Sequence, residues 1–199
     1  MSPDPIAVAA IAFAYLLGSI PVGLVLARSR AVDVRTRGSG NIGATNVTRT
    51  LGKGAGAVVL VLDALKGALP MLVASALDVA GRAGPYAVTL VGVAAIAGHC
   101  FPVWLRFRGG KGVATALGVF IVLDPAAIAV ATAAFAVLLA KLRIVSVASM
   151  TAAVSIPITL AVLGRPPEAI ALGAAGAAIV LVQHRHNARR LLAGRERPL

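Results

Sequence analysis

Long apolar runs separated by short basic segments set the pattern of this chain. Pro5 to Ala27 carries no charge and has the length of a spanning helix, which needs about 20 mostly apolar residues to cross a hydrocarbon core about 30 Å thick. A basic, glycine-rich stretch follows, and Gly54 to Leu77 forms a second run interrupted by Asp63 and Lys66. A third runs from beyond Arg82 to Gly98. Val113–Leu123 and Pro125–Ala140 are shorter pieces split at Asp124-Pro125. Ile144–Gly164 is uninterrupted, and Ala169–Gln183 starts after Pro166-Pro167-Glu168, a favourable helix start. The pattern predicts an all-α, polytopic integral membrane protein organised as a single domain over residues 1–199.

Charge decides the number of crossings. Cytoplasmic loops of membrane proteins carry the excess of Lys and Arg. With seven transmembrane helices, an outside N-terminus and a cytoplasmic C-terminus, the inner segments are 28–53, 99–112, 141–143 and the tail 184–199. Those segments hold 16 of the 19 Lys and Arg residues, the outer loops hold Arg82 and Arg165, and Lys66 lies within a span. Merging 113–140 into one bent helix would put Lys141 and Arg143 outside, so two short helices fit the rule better.

Composition agrees. Hydrophobic residues make up 59% of the chain, and charged residues make up 13%, about half the share in soluble domains. The net charge of +12 comes from 19 basic against 7 acidic residues. Aromatic residues for base stacking are few, so nucleic acid is not the expected partner. Cys100 stands alone, which excludes an intrachain disulfide and a multi-cysteine metal site. No Lys or Arg precedes Arg28, so the first run reads as a span and not as a secretory signal.

Polar chemistry concentrates in three segments on the predicted cytoplasmic side. The first, Arg37 to Arg49, combines Gly38, Gly40 and Gly43 with Ser39, Asn41, Thr45, Asn46 and Thr48. Successive backbone N–H groups in such a loop form an anion nest, and Arg49 can grip a phosphate with two parallel hydrogen bonds. An ordinary interhelical loop carrying basic topology signals would look similar. The second segment places Gly109, Gly110 and Gly112 around Lys111 at a predicted helix start, where the helix dipole adds positive potential. It is not a Walker A loop, because Leu105 stands where the first glycine belongs and Gly112 follows the lysine. The third, His184-Arg185-His186-Asn187, puts His184 and Asn187 on one face if helical; read alone, it suits a basic tail on anionic headgroups. Asp63 and Lys66, three residues apart within a span, read as an internal ion pair.

Taken together, the segments resemble the bacterial acyl-phosphate:glycerol-3-phosphate acyltransferases, the PlsY family. The first family motif corresponds to GSGNIGATN at Gly38–Asn46 followed by Arg49. The second corresponds to Gly98–Thr115, with His99, Phe101, Pro102 and the run FRGGKGVAT in place and Phe107 one position later than the family pattern. The third corresponds to His184–Glu196, with Ala188 where the family carries Ile. The likeness extends from about Tyr15 to Glu196.

This resemblance implies transfer of a fatty acyl chain from acyl phosphate to the 1-hydroxyl of glycerol 3-phosphate. The products are lysophosphatidic acid and phosphate, the first acylation of bacterial phospholipid synthesis. It implies no cofactor and no metal, an address in the bacterial inner membrane with the site on the cytoplasmic face, and transient contact with the soluble enzyme that makes acyl phosphate. By position, Ser39, Arg49, His184 and Asn187 are the essential polar residues. Substrate phosphate falls to Gly38, Gly40, Asn41, Thr45, Asn46, Gly109, Gly110, Lys111 and Gly112. Asp63, Lys66, His99 and Glu196 take structural or indirect roles. No histidine is followed five residues later by aspartate, so the general base is either His184 or a substrate phosphate oxygen. The competing class, an organic-phosphate transporter, would place its site at the bilayer midplane between internal repeats, and no repeat is visible.

Overall fold

The computed structural model describes residues 3–196 and 198 and contains eleven α-helices and no β-strand among them. Asp4 starts the first, α1 (Pro5–Gly18), by accepting the Ile6 and Ala7 N–H groups while Pro5 occupies its first turn. The run expected as one span breaks at Ser19–Pro21, where Pro21 has no N–H to continue the ladder, and resumes as α2 (Val22–Arg28). The basic stretch that follows holds a 3₁₀ turn, Val34–Thr36, and α3 (Ala44–Leu51). Next come α4 (Lys53–Ala76), the short α5 (Val79–Ala83) and α6 (Pro85–Cys100). A loop with a second 3₁₀ turn, Val103–Leu105, leads to α7 (Val113–Leu123). The chain then continues through α8 (Pro125–Leu142), α9 (Val145–Val162), α10 (Pro167–Gln183) and α11 (Arg185–Leu192).

The split at Asp124-Pro125 has a local cause. Asp124 accepts the Ala127 N–H at 2.8 Å, capping α8, and its other carboxylate oxygen takes the Arg165 Nε at 2.5 Å. The turn between α7 and α8 is thereby tied to the loop between α9 and α10.

The outer surface is apolar, and the bundle interior holds polar groups beside its apolar core. Large apolar side chains such as Val61, Leu72, Leu90, Val137 and Ile158 point outward, while Ser19, Asn46, Asp63, Lys66, His99 and Thr115 are buried. A lipid surround rewards that arrangement, because polar side chains in a bilayer must find partners inside the bundle. Five helical stretches, counting α1 and α2 as one, are long and apolar enough to cross a membrane, and a sixth is added if α10 and α11 are one bent span. The protein is a multi-pass membrane protein.

Small residues set the helix spacing. A Cβ on Gly118 of α7 would lie 1.8 Å from the Ala64 carbonyl oxygen, and one on Gly67 of α4 would lie 2.1 Å from that of Thr115. These reciprocal contacts bring α4 and α7 to backbone contact, the close approach that glycine permits between membrane helices. One apolar cluster joins α1, α6, α7 and α10 through Ala14, Ala95, Ile96, Phe120 and Leu172, and a second packs Leu24, Val34, Val47 and Val59 beneath the first polar loop.

Candidate active site

The first polar loop is organised by one buried amide. Asn46, in the first turn of α3, shares its two Nδ2 hydrogens among the carbonyls of Val34, Arg37 and Asn41 at 2.9, 3.1 and 2.8 Å. Its Oδ1 accepts the Ser39 N–H at 2.8 Å. All four of its side-chain hydrogen bonds are made to the backbone of the loop. Gly38 and Gly40 adopt φ of 59° and 72°, so the chain turns where a side chain would be strained. The Ser39 side chain stays exposed at the cavity mouth, and Arg49 projects from α3 with its guanidinium 3.1 Å from the Pro198 carbonyl oxygen.

The second loop is pinned to the end of α6. Gly109 and Gly110 donate their N–H groups to the carbonyls of Cys100 and His99 at 3.1 and 3.0 Å. A Cβ on Gly110 would lie 2.0 Å from His99 Nε2, so this loop backbone rests on the buried imidazole. His99 Nδ1 is 3.7 Å from Asp63 Oδ1, beyond a hydrogen bond, whereas Lys66 Nζ sits 3.0 Å from that oxygen and donates to the Ile20 carbonyl at 2.8 Å. The ion pair expected from sequence is present, and it lies beneath the loop. Gly112, at φ 79°, ends the loop and starts α7.

The third segment begins where α10 ends. The chain bends by 57° into α11, and His184 at the bend is 2% exposed. Its Nδ1 lies 2.8 Å from the Val180 carbonyl. A carbonyl only accepts, so Nδ1 carries the proton, and in the neutral ring Nε2 is left with its lone pair. Asn187, one turn on, accepts from Lys111 Nζ at 2.5 Å and donates to Glu196 Oε1 at 2.5 Å. Glu196 also takes Ser146 Oγ at 2.9 Å and Arg190 Nε at 2.6 Å. Partial burial raises the Glu196 carboxyl, but the Arg190, Asn187 and Ser146 hydrogen bonds outweigh it and hold the group below the usual carboxylate range.

These pieces meet around a cavity of about 300 Å³. Gly38, Ser39, Asn41, Thr45, Asn46 and Arg49 line it from the first segment, Lys111 and Gly112 from the second, and His184, Asn187 and Glu196 from the third. Asp63 and His99 reach its floor. Gly40, Gly109, Gly110 and Lys66 are not on the wall. Burial pulls the Lys111 ammonium down to about 8; the Glu196 anion opposes this, and the Arg190 and Arg49 cations reinforce it. No cluster of three or more His, Cys, Asp or Glu side chains suited to a metal occurs among the described residues. Ser146, Ser149 and Arg190 line the cavity without having been singled out from sequence. The serines are two of five hydroxyl residues in an uncharged span, and Arg190 reads as one charge of a basic tail.

The cavity opens into a second, apolar one of about 440 Å³ between α4, α7, α8, α9 and α10. Thr45, Leu60, Ala114, Phe135, Val145 and Ser149 border both. A polar, cationic chamber thus continues into a lipid-like groove.

Residues 8–194 match the family model for glycerol-3-phosphate acyltransferase. A glycerol-3-phosphate acyltransferase of Geotalea daltonii is 50% identical over 183 residues, 92% of each chain. That of Anaeromyxobacter dehalogenans is 48% identical over 199 residues, 99% of each. A crystal structure of PlsY, an integral membrane glycerol 3-phosphate acyltransferase, in its glycerol 3-phosphate form superposes with a TM-score of 0.91 at 42% identity, covering 98% of this chain and 96% of that one. Its lysophosphatidic acid form superposes with a TM-score of 0.89 at 41% identity, covering 98% and 95%. With the three motif segments gathered on one cavity and matches that run nearly end to end, this chain belongs to the glycerol-3-phosphate acyltransferase family, that of PlsY.

Proposed function

We propose that the protein transfers a fatty acyl chain from acyl phosphate to the 1-hydroxyl of sn-glycerol 3-phosphate, releasing lysophosphatidic acid and inorganic phosphate. The observation that carries this reading is the continuity of the cationic chamber with the apolar groove. One substrate is a small soluble phosphate ester; the other joins a phosphate to a hydrocarbon tail. A site for both needs anion-binding groups beside an apolar slot, and their junction is where the acyl carbonyl would lie.

In this reading Lys111 and Arg49 hold phosphate, with Ser39, Asn41 and the loop N–H groups orienting it. The glycerol hydroxyl attacks the acyl carbonyl carbon, a new ester C–O bond forms, and the bond between carbonyl carbon and phosphate oxygen breaks. Fixed donors around the chamber stabilise the oxyanion that develops between those events. The hydroxyl proton ends on the departing phosphate, directly or by way of His184 Nε2. Acyl phosphate is already activated, so the chain needs no covalent acyl-enzyme.

The single domain spans residues 1–199, with seven crossings, the N-terminus outside and the C-terminus in the cytoplasm of the bacterial inner membrane. Support comes from the direction of the helices: α6 and α10 end at the site, whereas α7 and α9 begin there. At 11 residues α7 is about 16 Å long, shorter than the hydrocarbon core. The cytoplasmic face is where both soluble substrate and a transient contact with the acyl-phosphate-producing enzyme are available.

The test is to supply purified protein with acyl phosphate and radiolabelled glycerol 3-phosphate, without acyl-CoA or acyl carrier protein. Labelled lysophosphatidic acid and phosphate in equal amounts are expected. Product that forms only from acyl-CoA or acyl carrier protein would reject the proposed donor.

A further inference from the structure

Gln183 is the last residue of α10 and precedes His184. Its Nε2 donates to the Gly110 carbonyl at 3.1 Å, across 73 residues of chain, and to the Cys100 carbonyl at 3.0 Å. Both partners are acceptors, so the amide nitrogen must face them and the amide has one orientation. Gly110 is therefore held from two sides, with the His99 ring against its Cα and the Gln183 amide at its carbonyl. The next residue is Lys111. Among the described residues, the side-chain hydrogen bonds that join α10 and α11 to the 99–112 loop are those of Gln183 and the Lys111–Asn187 bond.

Resting on the acyltransferase reading, we propose that Gln183 is a positioning residue: it locks the Gly110 peptide to the end of α10, so that Lys111 and His184 face the same substrate phosphate. Without the amide, the loop keeps its two backbone bonds to α6 and the Lys111–Asn187 bond to α11, but its backbone loses its tie to the end of α10. Lys111 would then meet phosphate less often in the right place. That loss appears as weaker binding of the phosphate substrate, because the contact exists before the reaction as well as during it.

The measurement is equilibrium binding of radiolabelled glycerol 3-phosphate to purified protein, with thermal unfolding as a check on folding. Gln183→Met keeps length and removes both donors; it is expected to weaken binding roughly tenfold, the size of two neutral hydrogen bonds of modest net value. Gln183→Lys retains donors and is expected to bind within about threefold of wild type by the same scale. In a Lys111→Ala background, Gln183→Met is expected to add less than about twofold, since a residue acting through Lys111 has nothing left to position. Should Gln183→Met fail to fold, Gln183→Leu, also uncharged and without a donor, takes its place with the same expectation. Wild-type-like binding by the donor-free variant, or a full tenfold further loss in the Lys111→Ala background, overturns the proposal alone. A well-folded wild-type protein that binds no glycerol 3-phosphate overturns the acyltransferase reading, and this inference with it.

Discussion

Asn187 Oδ1 accepts the Lys111 ammonium at 2.5 Å while Asn187 Nδ2 donates to Glu196 at 2.5 Å. The Asn187 amide accepts from a cation on one side and donates to an anion on the other, which an ionised carboxylate, an acceptor only, cannot do. Asn187→Asp preserves shape and the acceptor for Lys111 but sets a second carboxylate against Glu196. The variant is expected to lose activity by at least about tenfold and to unfold at lower temperature, since a charge-assisted hydrogen bond contributes about 1.5–3 kcal/mol. An Asn187→Asp enzyme with wild-type turnover and melting would contradict the relay from Lys111 to Glu196.

Lys111 titrates at about 8, with burial as the main cause. The ammonium is present below that pH and lost above it, so the cation proposed to bind phosphate disappears as pH rises. For the free enzyme, kcat/KM for glycerol 3-phosphate is expected to fall above about pH 8. Lys111→Arg holds its charge through this range and should shift the fall to higher pH. A profile flat to pH 10 in the wild-type enzyme would show that this charge does not govern substrate capture.

The buried pair of Asp63 and Lys66, 2% and 4% exposed, is expected to be costly to break. Lys66→Met leaves the Asp63 charge without its nearest partner, and Asp63→Asn does the same to Lys66. Each single change should destabilise the protein by about 3–5 kcal/mol, and the double variant should recover much of the loss. Thermal unfolding of all four proteins in one detergent measures this. Additive losses would show that the two side chains do not act as a pair.

The apolar groove makes a separate prediction about the acyl donor. Ala153 lies on its wall. Ala153→Phe fills part of the slot and is expected to reduce kcat/KM for long-chain acyl phosphates several-fold more than for short ones, since each buried methylene is worth about 0.8 kcal/mol. Competition between two chain lengths reads the ratio directly. An unchanged ratio would place the chain elsewhere.

How much of this was visible in the sequence depends on the distance over which each feature is encoded. The break between α7 and α8 is local: Asp124 caps and Pro125 starts, and both signals sit side by side. The Asp63–Lys66 pair is likewise one helical turn. The polar segments could be assigned to a shared face because basic residues cluster by loop. What was not legible is the set of partners joined across the fold. Nothing around Gln183 marks it as reaching Gly110, and Ser146 is one of several hydroxyl residues in an uncharged helix, with no sign of its bond to Glu196. Asn46 looks like a ligand for phosphate in a polar motif, but its amide is directed at the loop carbonyls. The first span read as one helix because it carries no charge from Pro5 to Ala27, and Pro21 was no sure sign of a break, since Pro70 and Pro157 lie inside continuous helices.

The most direct test of the account is acyl transfer by purified protein and its variants in proteoliposomes, with acyl phosphate and radiolabelled glycerol 3-phosphate supplied together. Wild type is expected to form labelled lysophosphatidic acid, and Ser39→Ala and Lys111→Ala, with folding retained, are expected to form little. Label that accumulates inside the vesicles as unmodified glycerol 3-phosphate, with no lipid product, would contradict the acyltransferase account and favour transport instead.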